Sequence, residues 1–182
     1  ATEELTVDGK FETVGENFGG PYNDLEEYQD YNLFNVGAAY VLNENNTVTG
    51  DYTLVQPESN GTEDKSTVEL GLENMYGDFT NTASVEFVMN DDYTDDYETT
   101  VISLGTEYAW DETLTLGAEL TNKTKDEAGT DAITYNYLTA FADKELADNI
   151  TWNTEAFFID GELNETDEGQ GNGMTTSLSV SF

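Results

Sequence analysis

The sequence contains no cysteine, no histidine and no arginine, and only two prolines. Without cysteine, neither a disulfide framework nor a thiolate metal site can form. Without histidine, catalysis by a Ser-His-Asp triad, a Cys-His pair or a histidine base is excluded. A pair of carboxylates could still catalyse hydrolysis, but no pair stands out among 39 acidic residues. We therefore expect a protein that is not an enzyme.

Positive charge is scarce, because five lysines face 39 acidic residues and the formal net charge is −34 over 182 residues. Nucleic acid is excluded as a partner, since phosphate binding needs Lys or Arg to displace counterions. High salt tolerates such a charge by screening it, with a Debye length of ~3 Å at 1 M. Divalent cations on oxygen ligands would neutralise it instead. The composition fits both a salt-adapted acidic surface and specific cation sites.

The densest acidic cluster lies at residues 90–98, with the sequence NDDYTDDYE. Its aspartates are the candidate ligands for Ca²⁺ or another cation: Asp91, Asp92, Asp95 and Asp96. The cluster lacks the D-x-D-x-D-G spacing of an EF-hand loop. Cations on acidic loops are therefore the one cofactor-like ligand that the sequence suggests.

Long apolar runs are also absent, so no transmembrane helix is expected. The first residues form neither a basic n-region nor an apolar h-region, and a start at Ala1 would suit a mature chain after signal-peptide removal. The length indicates a single domain over residues 1–182. Aromatic residues make up 12% of the chain, which a disordered acidic tail would lack.

What the sequence does contain is alternation with period two, as in Leu178, Val180 and Phe182 between serines. Ten such segments, each close in length to the ~9–11 residues of a tilted membrane-spanning strand, predict an all-β, antiparallel up-and-down transmembrane β-barrel. Eight or twelve strands are the alternatives. The segments are 4–14, 31–42, 47–56, 66–76, 80–90, 98–110, 112–122, 131–142, 148–160 and 173–182.

The connections between these segments alternate in length, which is typical of outer-membrane barrels. The long, acidic ones are 15–30, 57–65, 91–97, 123–130 and 161–172. The short ones are 43–46, 77–79, 111 and 142–147, of which the last would be a short helical turn.

The apolar face of the strands carries too many bulky side chains to fill one small lumen, which favours an outward, lipid-facing position. Several of its aromatic residues end strands beside short turns, as an interfacial aromatic girdle would. The aromatic residues assigned to this face are Phe11, Phe34, Tyr40, Tyr52, Tyr76, Phe87, Tyr108, Trp110, Tyr135, Tyr137, Phe141, Trp152, Phe158 and Phe182.

Three segments resemble Gram-negative outer-membrane porins. Leu5–Phe11 is similar to their first strand, with Asp8 where a Tyr-Gly-Lys motif has its tyrosine, and residues 108–114 resemble a short periplasmic turn. Residues 177–182 resemble the C-terminal strand whose terminal Phe is read by the barrel-assembly machinery. The resemblance implies an outer-membrane barrel. General porins, however, have sixteen or more strands and an arginine cluster at their constriction, and this chain has no arginine.

The polar face predicts the character of the lumen. Its nine acids are Asp8, Glu12, Asp51, Glu69, Glu73, Glu86, Glu107, Glu119 and Glu155, with Lys10 as the lone lysine of the strand cores, paired to a neighbouring acid. Rings of Asp and Glu select cations, so we predict a narrow, cation-preferring channel in the cell outer membrane. Its partners would be lipid and small cations, with homo-oligomerisation left open.

Two other interpretations fit the same composition. The lumen of a barrel with about ten strands is small enough to be filled by its own side chains, which would leave a structural or surface-binding barrel. A secreted acidic β-sandwich from a high-salt environment, forming an extracellular coat or filament, would share the acidic excess. A sandwich, however, predicts neither alternating loop lengths nor aromatic strand ends.

Overall fold

The computed structural model describes residues 4–15, 31–58, 63–91, 97–127, 132–164 and 167–180, without the side chains of 162–164, 167 and 168. The described chain forms ten β-strands. They are β1 (Leu5–Val14), β2 (Tyr31–Asn43), β3 (Asn46–Pro57), β4 (Lys65–Tyr76), β5 (Phe79–Met89), β6 (Tyr97–Asp111), β7 (Leu114–Glu127), β8 (Ile133–Ala147), β9 (Ile150–Asn164) and β10 (Asp167–Val180).

All ten strands belong to one sheet whose strand order is the order of the sequence. Each strand pairs antiparallel with the next. The prediction of an all-β, up-and-down fold with ten strands is confirmed. A β-sandwich is not the observed architecture, because it would divide the strands between two sheets with Greek-key connections. Within the described residues, β1 and β10 each pair on one side only.

Tight turns connect consecutive strands at one end of the sheet, at residues 44–45, 77–78, 112–113 and 148–149. Gly77 has a φ of 60°, a left-handed conformation that glycine adopts without steric cost. Three of these turns were predicted. The fourth prediction was wrong, because residues 142–147 are the end of β8 and the turn follows them. No described helix is long and apolar enough to cross a membrane.

Two predicted long loops are largely strand. β7 continues to Glu127 through most of the predicted loop 123–130. β9 and β10 extend through the predicted loop 161–172 up to residues 164 and 167. Polar residues such as Thr124 and Thr134 pair across these extensions. The prediction missed them because a ladder of backbone hydrogen bonds needs no hydrophobic side chains.

The two faces of the sheet differ in composition and exposure. We call the face with Asp8, Asp51 and Glu69 the polar face, and the opposite one the apolar face. Of the 26 large apolar side chains that are at least 37% exposed among the described residues, all but Val41 and Met75 belong to the apolar face by strand register. The buried cluster of Val14, Tyr31, Leu33 and Val55 lies on the polar face instead, near the long loops.

Candidate functional site

Four of the predicted carboxylates form one row across neighbouring strands of the polar face. Asp8 pairs with Gly37, and Gly37 pairs with Asp51 on its other side. Asp51 pairs with Glu69, which in turn pairs with Glu86. We call Asp8, Asp51, Glu69 and Glu86 the acidic row. Since neighbouring strands lie about 4.8 Å apart, the row spans roughly 19 Å over five strands.

Gly37 leaves room for two carboxylates to converge in this row. A Cβ at Gly37 would lie 3.0 Å from Asp8 Oδ1 and 3.1 Å from Asp51 Oδ2. The other oxygen of Asp51 accepts a hydrogen bond of 2.7 Å from Asn35 Nδ2. Asp8 and Glu69 have no side-chain hydrogen bond or ion pair within the described chain. A recess of about 310 Å³ opens here, lined in part by Asp8, Gly37, Asp51 and Glu69.

The remaining predicted acids lie on the same face but not together. Glu73 and Glu119 share a row in which Thr82 and Gly105 separate them. Glu107 and Glu155 share the next row, with Gly117 and Phe141 between them. Each is therefore a single carboxylate with uncharged cross-strand neighbours, in contrast to the acidic row.

Glu12 is held by two partners near the long loops. Lys10 Nζ lies 2.9 Å from Glu12 Oε2, which confirms that Lys10 pairs with a neighbouring acid. Tyr31 Oη donates a hydrogen bond of 2.7 Å to Glu12 Oε1. Glu12 is therefore neutralised locally, unlike Asp8 four residues earlier on the same strand.

The prediction that Lys10 is the lone lysine of the strand cores was wrong. Lys65, Lys123 and Lys125 also lie on the polar face, because β4 begins at Lys65 and β7 reaches Glu127. Lys123 continues the acidic row beyond Val101 on β6, and Lys125 Nζ lies 5.6 Å from the centroid of the Tyr97 ring. The polar face thus carries positive charge on β7 as well as negative charge on β1 to β5.

The extended strands also place charges on the apolar face that the sequence analysis did not assign there. Glu98 pairs with Asp126, and Asp160 lies beside Gln170 on the neighbouring strand. All three acids lie near the ends of their strands that lead into the long loops.

Three aromatic residues that were assigned to the apolar face lie on the polar one. The register pairs Tyr135 with Lys123, Tyr137 with Thr121, and Phe141 with Gly117. Both faces of β8 are rich in apolar residues, so hydrophobicity alone did not distinguish them. Sequence reasoning therefore missed an aromatic and glycine-rich region of the polar face on β8 to β10. The only signal for it was the series of glycines at 161, 169, 171 and 173.

Near the long loops, Asp91 is engaged rather than free. Lys65 Nζ lies 2.7 Å from Asp91 Oδ1, and Thr99 Oγ1 donates a hydrogen bond of 2.6 Å to Asp91 Oδ2. The other three candidate cation ligands, Asp92, Asp95 and Asp96, lie outside the described residues. The part of the chain that is described contains no group of three or more acidic side chains placed to hold a metal ion. The loop cation site stays a prediction.

Asp111, the last residue of β6, lies beside the tight turn to β7 and accepts hydrogen bonds from it. Thr113 donates from its side chain at 2.7 Å and from its backbone at 2.8 Å to Asp111 Oδ1. These bonds, with a smaller contribution from Lys144 at 3.5 Å, lower the pKa of Asp111 from 3.8 to about 2. The hydrogen bonds between Asp111 and Thr113 stabilise the turn. Asp111 lies at the turn end of β6, away from the acidic row.

Comparison with known proteins identifies the architecture. No family model and no curated protein matches the sequence. A porin refined at 1.8 Å resolution superimposes on 98% of this chain with a TM-score of 0.61 and 15% sequence identity. The fold is that of a porin-like β-barrel. The chain spans 59% of the length of that porin, and at this identity the likeness concerns the fold alone.

The two faces of the sheet fit a porin-like barrel. In such barrels the lumen is polar and the outer surface carries an apolar band flanked by aromatic girdles. On the apolar face, Phe79 and Tyr108 have ring centroids 4.7 Å apart, and Trp110 lies edge-on to Tyr108 at 6.1 Å. All three flank tight turns. Tyr108 and Trp110 were predicted as aromatic strand ends, whereas Phe79 was assigned to the turn and begins β5 instead. Phe182, another predicted member, lies outside the described residues.

Proposed function

We propose that this protein is an outer-membrane, porin-like barrel that conducts small cations through a lumen lined by the acidic row. The observation that carries the proposal is the placement of Asp8, Asp51, Glu69 and Glu86 in one cross-strand row. Rings of carboxylates attract cations and repel anions in channels. Small cations are thus the proposed solutes, and no catalytic step is assigned.

The cost of the acidic row supports a functional role. Like charges directly opposite each other on neighbouring strands destabilise a sheet. Asp51 faces Glu69, and Glu69 faces Glu86, without a lysine among them. Serine and threonine occupy equivalent polar-face positions elsewhere, for example Ser103 opposite Thr121. A sheet selected for stability alone would use such uncharged residues in the row.

The apolar face supports the membrane location. Phe11, Tyr76 and Met174 are 72%, 77% and 74% exposed. Apolar surface on this scale is a severe liability in water, whereas lipid tails would cover it. The charged residues Asp111 and Lys144 are close to tight turns, beyond the apolar band.

The experiment is a reversal-potential measurement in a planar bilayer with refolded protein in a KCl gradient. We expect a steady conductance and a reversal potential of the sign that K⁺ preference gives. The test variant neutralises the acidic row with Asp8→Asn, Asp51→Asn, Glu69→Gln and Glu86→Gln. Its reversal potential should move toward zero while the conductance persists.

A matched control changes the same number of Asp and Glu residues in the tight turns. Each tight turn carries one acid, so the control variant combines Glu44→Gln, Asp78→Asn, Glu112→Gln and Asp148→Asn. It should leave the reversal potential close to that of the wild-type protein. An equal shift in both variants would assign selectivity to overall charge and contradict the role of the row.

A second candidate function is a barrel without an open pore, and the buried cluster near the long loops favours it. Tyr31 is fully buried and Val55 is 5% exposed, although both belong to the polar face. Side chains packed in this way narrow the space beside that end of the sheet. Insertion into the bilayer without conductance would support a structural or surface-binding barrel.

A further inference from the structure

A second recess lies on the polar face, three strands away from the acidic row. Its volume of about 340 Å³ falls within the ~300–1,000 Å³ range of small-molecule sites. Tyr135 and Tyr137 of β8 form one wall, Ile159 and Gly161 of β9 the floor, and the backbone of β10 at Gly171 the far side. None of the described residues that line it is charged.

A ring already packs on a glycine of β10 next to this recess, in the pair formed by Phe157 of β9 and Gly173. Phe157 pairs with Gly173, and a Cβ at Gly173 would lie 2.5 Å from Phe157 Cζ. The phenyl ring therefore covers the glycine backbone. Gly171, two residues earlier and on the same face, has no described heavy atom within 4 Å of its Cβ position. The strand thus offers one glycine that is covered by a ring and one that is open.

The tyrosines complete a site for a ring. Their centroids are 6.3 Å apart with an interplanar angle of 37°, which is within the 4.5–7 Å range of favourable aromatic pairs. Neither hydroxyl has a hydrogen-bond partner within the described chain. Both are therefore available to a polar substituent at the edge of a bound ring.

Charge restricts the occupant further. The formal net charge of −34 attracts cations to the protein and repels anions. Ring faces of tyrosine also bind organic cations, because the electron-rich face attracts positive charge. We propose that this recess binds a small aromatic cation, whose ring lies over Gly171 as Phe157 lies over Gly173. Binding of this kind does not require that the barrel conducts.

The test measures ¹⁹F NMR line broadening of 4-fluorobenzylammonium with the refolded protein, against a blank of the same detergent. We expect saturable broadening that 4-fluorobenzoate does not show and that cyclohexylmethylammonium does not compete away. Gly171→Leu places a side chain in the open space and should weaken binding at least about tenfold. Ser179→Leu is the control, since it adds the same side chain to the same face of β10 outside the recess.

Several results would overturn the proposal. They are unchanged binding in Gly171→Leu, an equal loss in Ser179→Leu, equal broadening of 4-fluorobenzoate, or full competition by cyclohexylmethylammonium. If Gly171→Leu does not refold, Tyr137→Leu and Tyr137→Phe provide the second test, and only the leucine variant should lose binding. Binding by a barrel that does not conduct would support this site while contradicting the proposed channel.

Discussion

The acidic side of the polar face, on β1 to β5, differs from the aromatic side, on β8 to β10, although both are built on the same antiparallel ladder. On the acidic side, carboxylates such as Asp51 and Glu69 stand opposite each other with space above them. On the aromatic side, rings such as Phe141 and Phe157 lie on glycines. Backbone pairing fixes where side chains point, and the residues at these positions decide whether the surface is acidic or aromatic.

The lysines of β7 separate the two sides. Lys123 lies in line with the acidic row, with Val101 between it and Glu86. On its other side it pairs with Tyr135. The polar face is therefore not a uniformly negative surface, and in the proposed lumen a solute would meet different chemistry on its acidic and aromatic sides. The predictions below test this division.

The largest effect on stability is expected at the ion pair between Lys65 and Asp91 on the acidic side. Lys65→Met should destabilise the protein by about 3 kcal/mol, at the lower end for breaking a buried ion pair, because it leaves the Asp91 carboxylate without its lysine. The Lys65 and Asp91 side chains are 27% and 10% exposed. Urea unfolding in detergent would measure the change.

Two further variants check this interpretation. The double variant Lys65→Met, Asp91→Asn should recover much of the loss, since it removes the Asp91 charge together with the lysine that neutralises it. Lys10→Met breaks an ion pair whose lysine is 49% exposed and should cost less than about 1 kcal/mol. A loss of similar size in Lys10→Met and Lys65→Met would contradict the packing difference.

On the aromatic side, Gly161→Ala should destabilise by about 1–3 kcal/mol, as overpacking does. Its new Cβ would collide with the backbone oxygen of Thr134, which cannot rotate away. Gly171→Ala is the matched control because its Cβ would meet open space. Thermal unfolding followed by gel mobility would compare the two, and equal stability would refute the close strand approach at Gly161.

The division also predicts unequal effects on selectivity. Glu69→Gln with Glu86→Gln removes two facing carboxylates and should reduce the reversal potential by about half. Glu119→Gln with Glu155→Gln removes two acids that lie in separate rows and should change it much less. Equal shifts in bilayer recordings would mean that the row has no special role.

The smallest effect is expected at the turn between β6 and β7. The hydrogen bonds from Thr113 lower the pKa of Asp111 to about 2, so the carboxylate stabilises the fold above pH 3.8 and this contribution is lost as the pH falls toward 2. The small difference in unfolding midpoint between the wild-type protein and Asp111→Asn should therefore be present at pH 5 and reduced at pH 2. Thr113→Val removes the side-chain donor but keeps the backbone donor, so this background should reduce the difference without abolishing it. A difference independent of pH would contradict the assignment.

The sequence predicted the strands well where alternation combined hydrophobic and polar residues, as in β3 and β4. It failed in the polar extension of β7 beyond Asn122, because the run Lys-Thr-Lys-Asp-Glu at residues 123–127 has no hydrophobic residue to indicate a strand. It also misplaced Tyr135, Tyr137 and Phe141, since both faces of β8 are apolar. The face of such a strand depends on its pairing with Gly117 and Glu119 of β7.

For the candidate site, alternation placed all nine acids on the polar face but did not reveal which of them meet. The facing of Glu69 and Glu86 depends on the register between β4 and β5, which the turn at residues 77–78 fixes. The pairing of Lys65 with Asp91 joins residues 26 positions apart. Local sequence does not encode such contacts, because they depend on how neighbouring strands align.

The most direct test of the account is the chemical accessibility of single cysteines, which the cysteine-free sequence makes clean. Thr49→Cys reports on the recess beside the acidic row, and Leu70→Cys reports on the apolar face. In liposomes, Thr49→Cys should react with a cationic methanethiosulfonate reagent about tenfold faster than with an anionic one, and Leu70→Cys should react with neither. Modification of Leu70→Cys with protection of Thr49→Cys, or equal rates of the two reagents at Thr49→Cys, would contradict a water-filled, cation-attracting lumen.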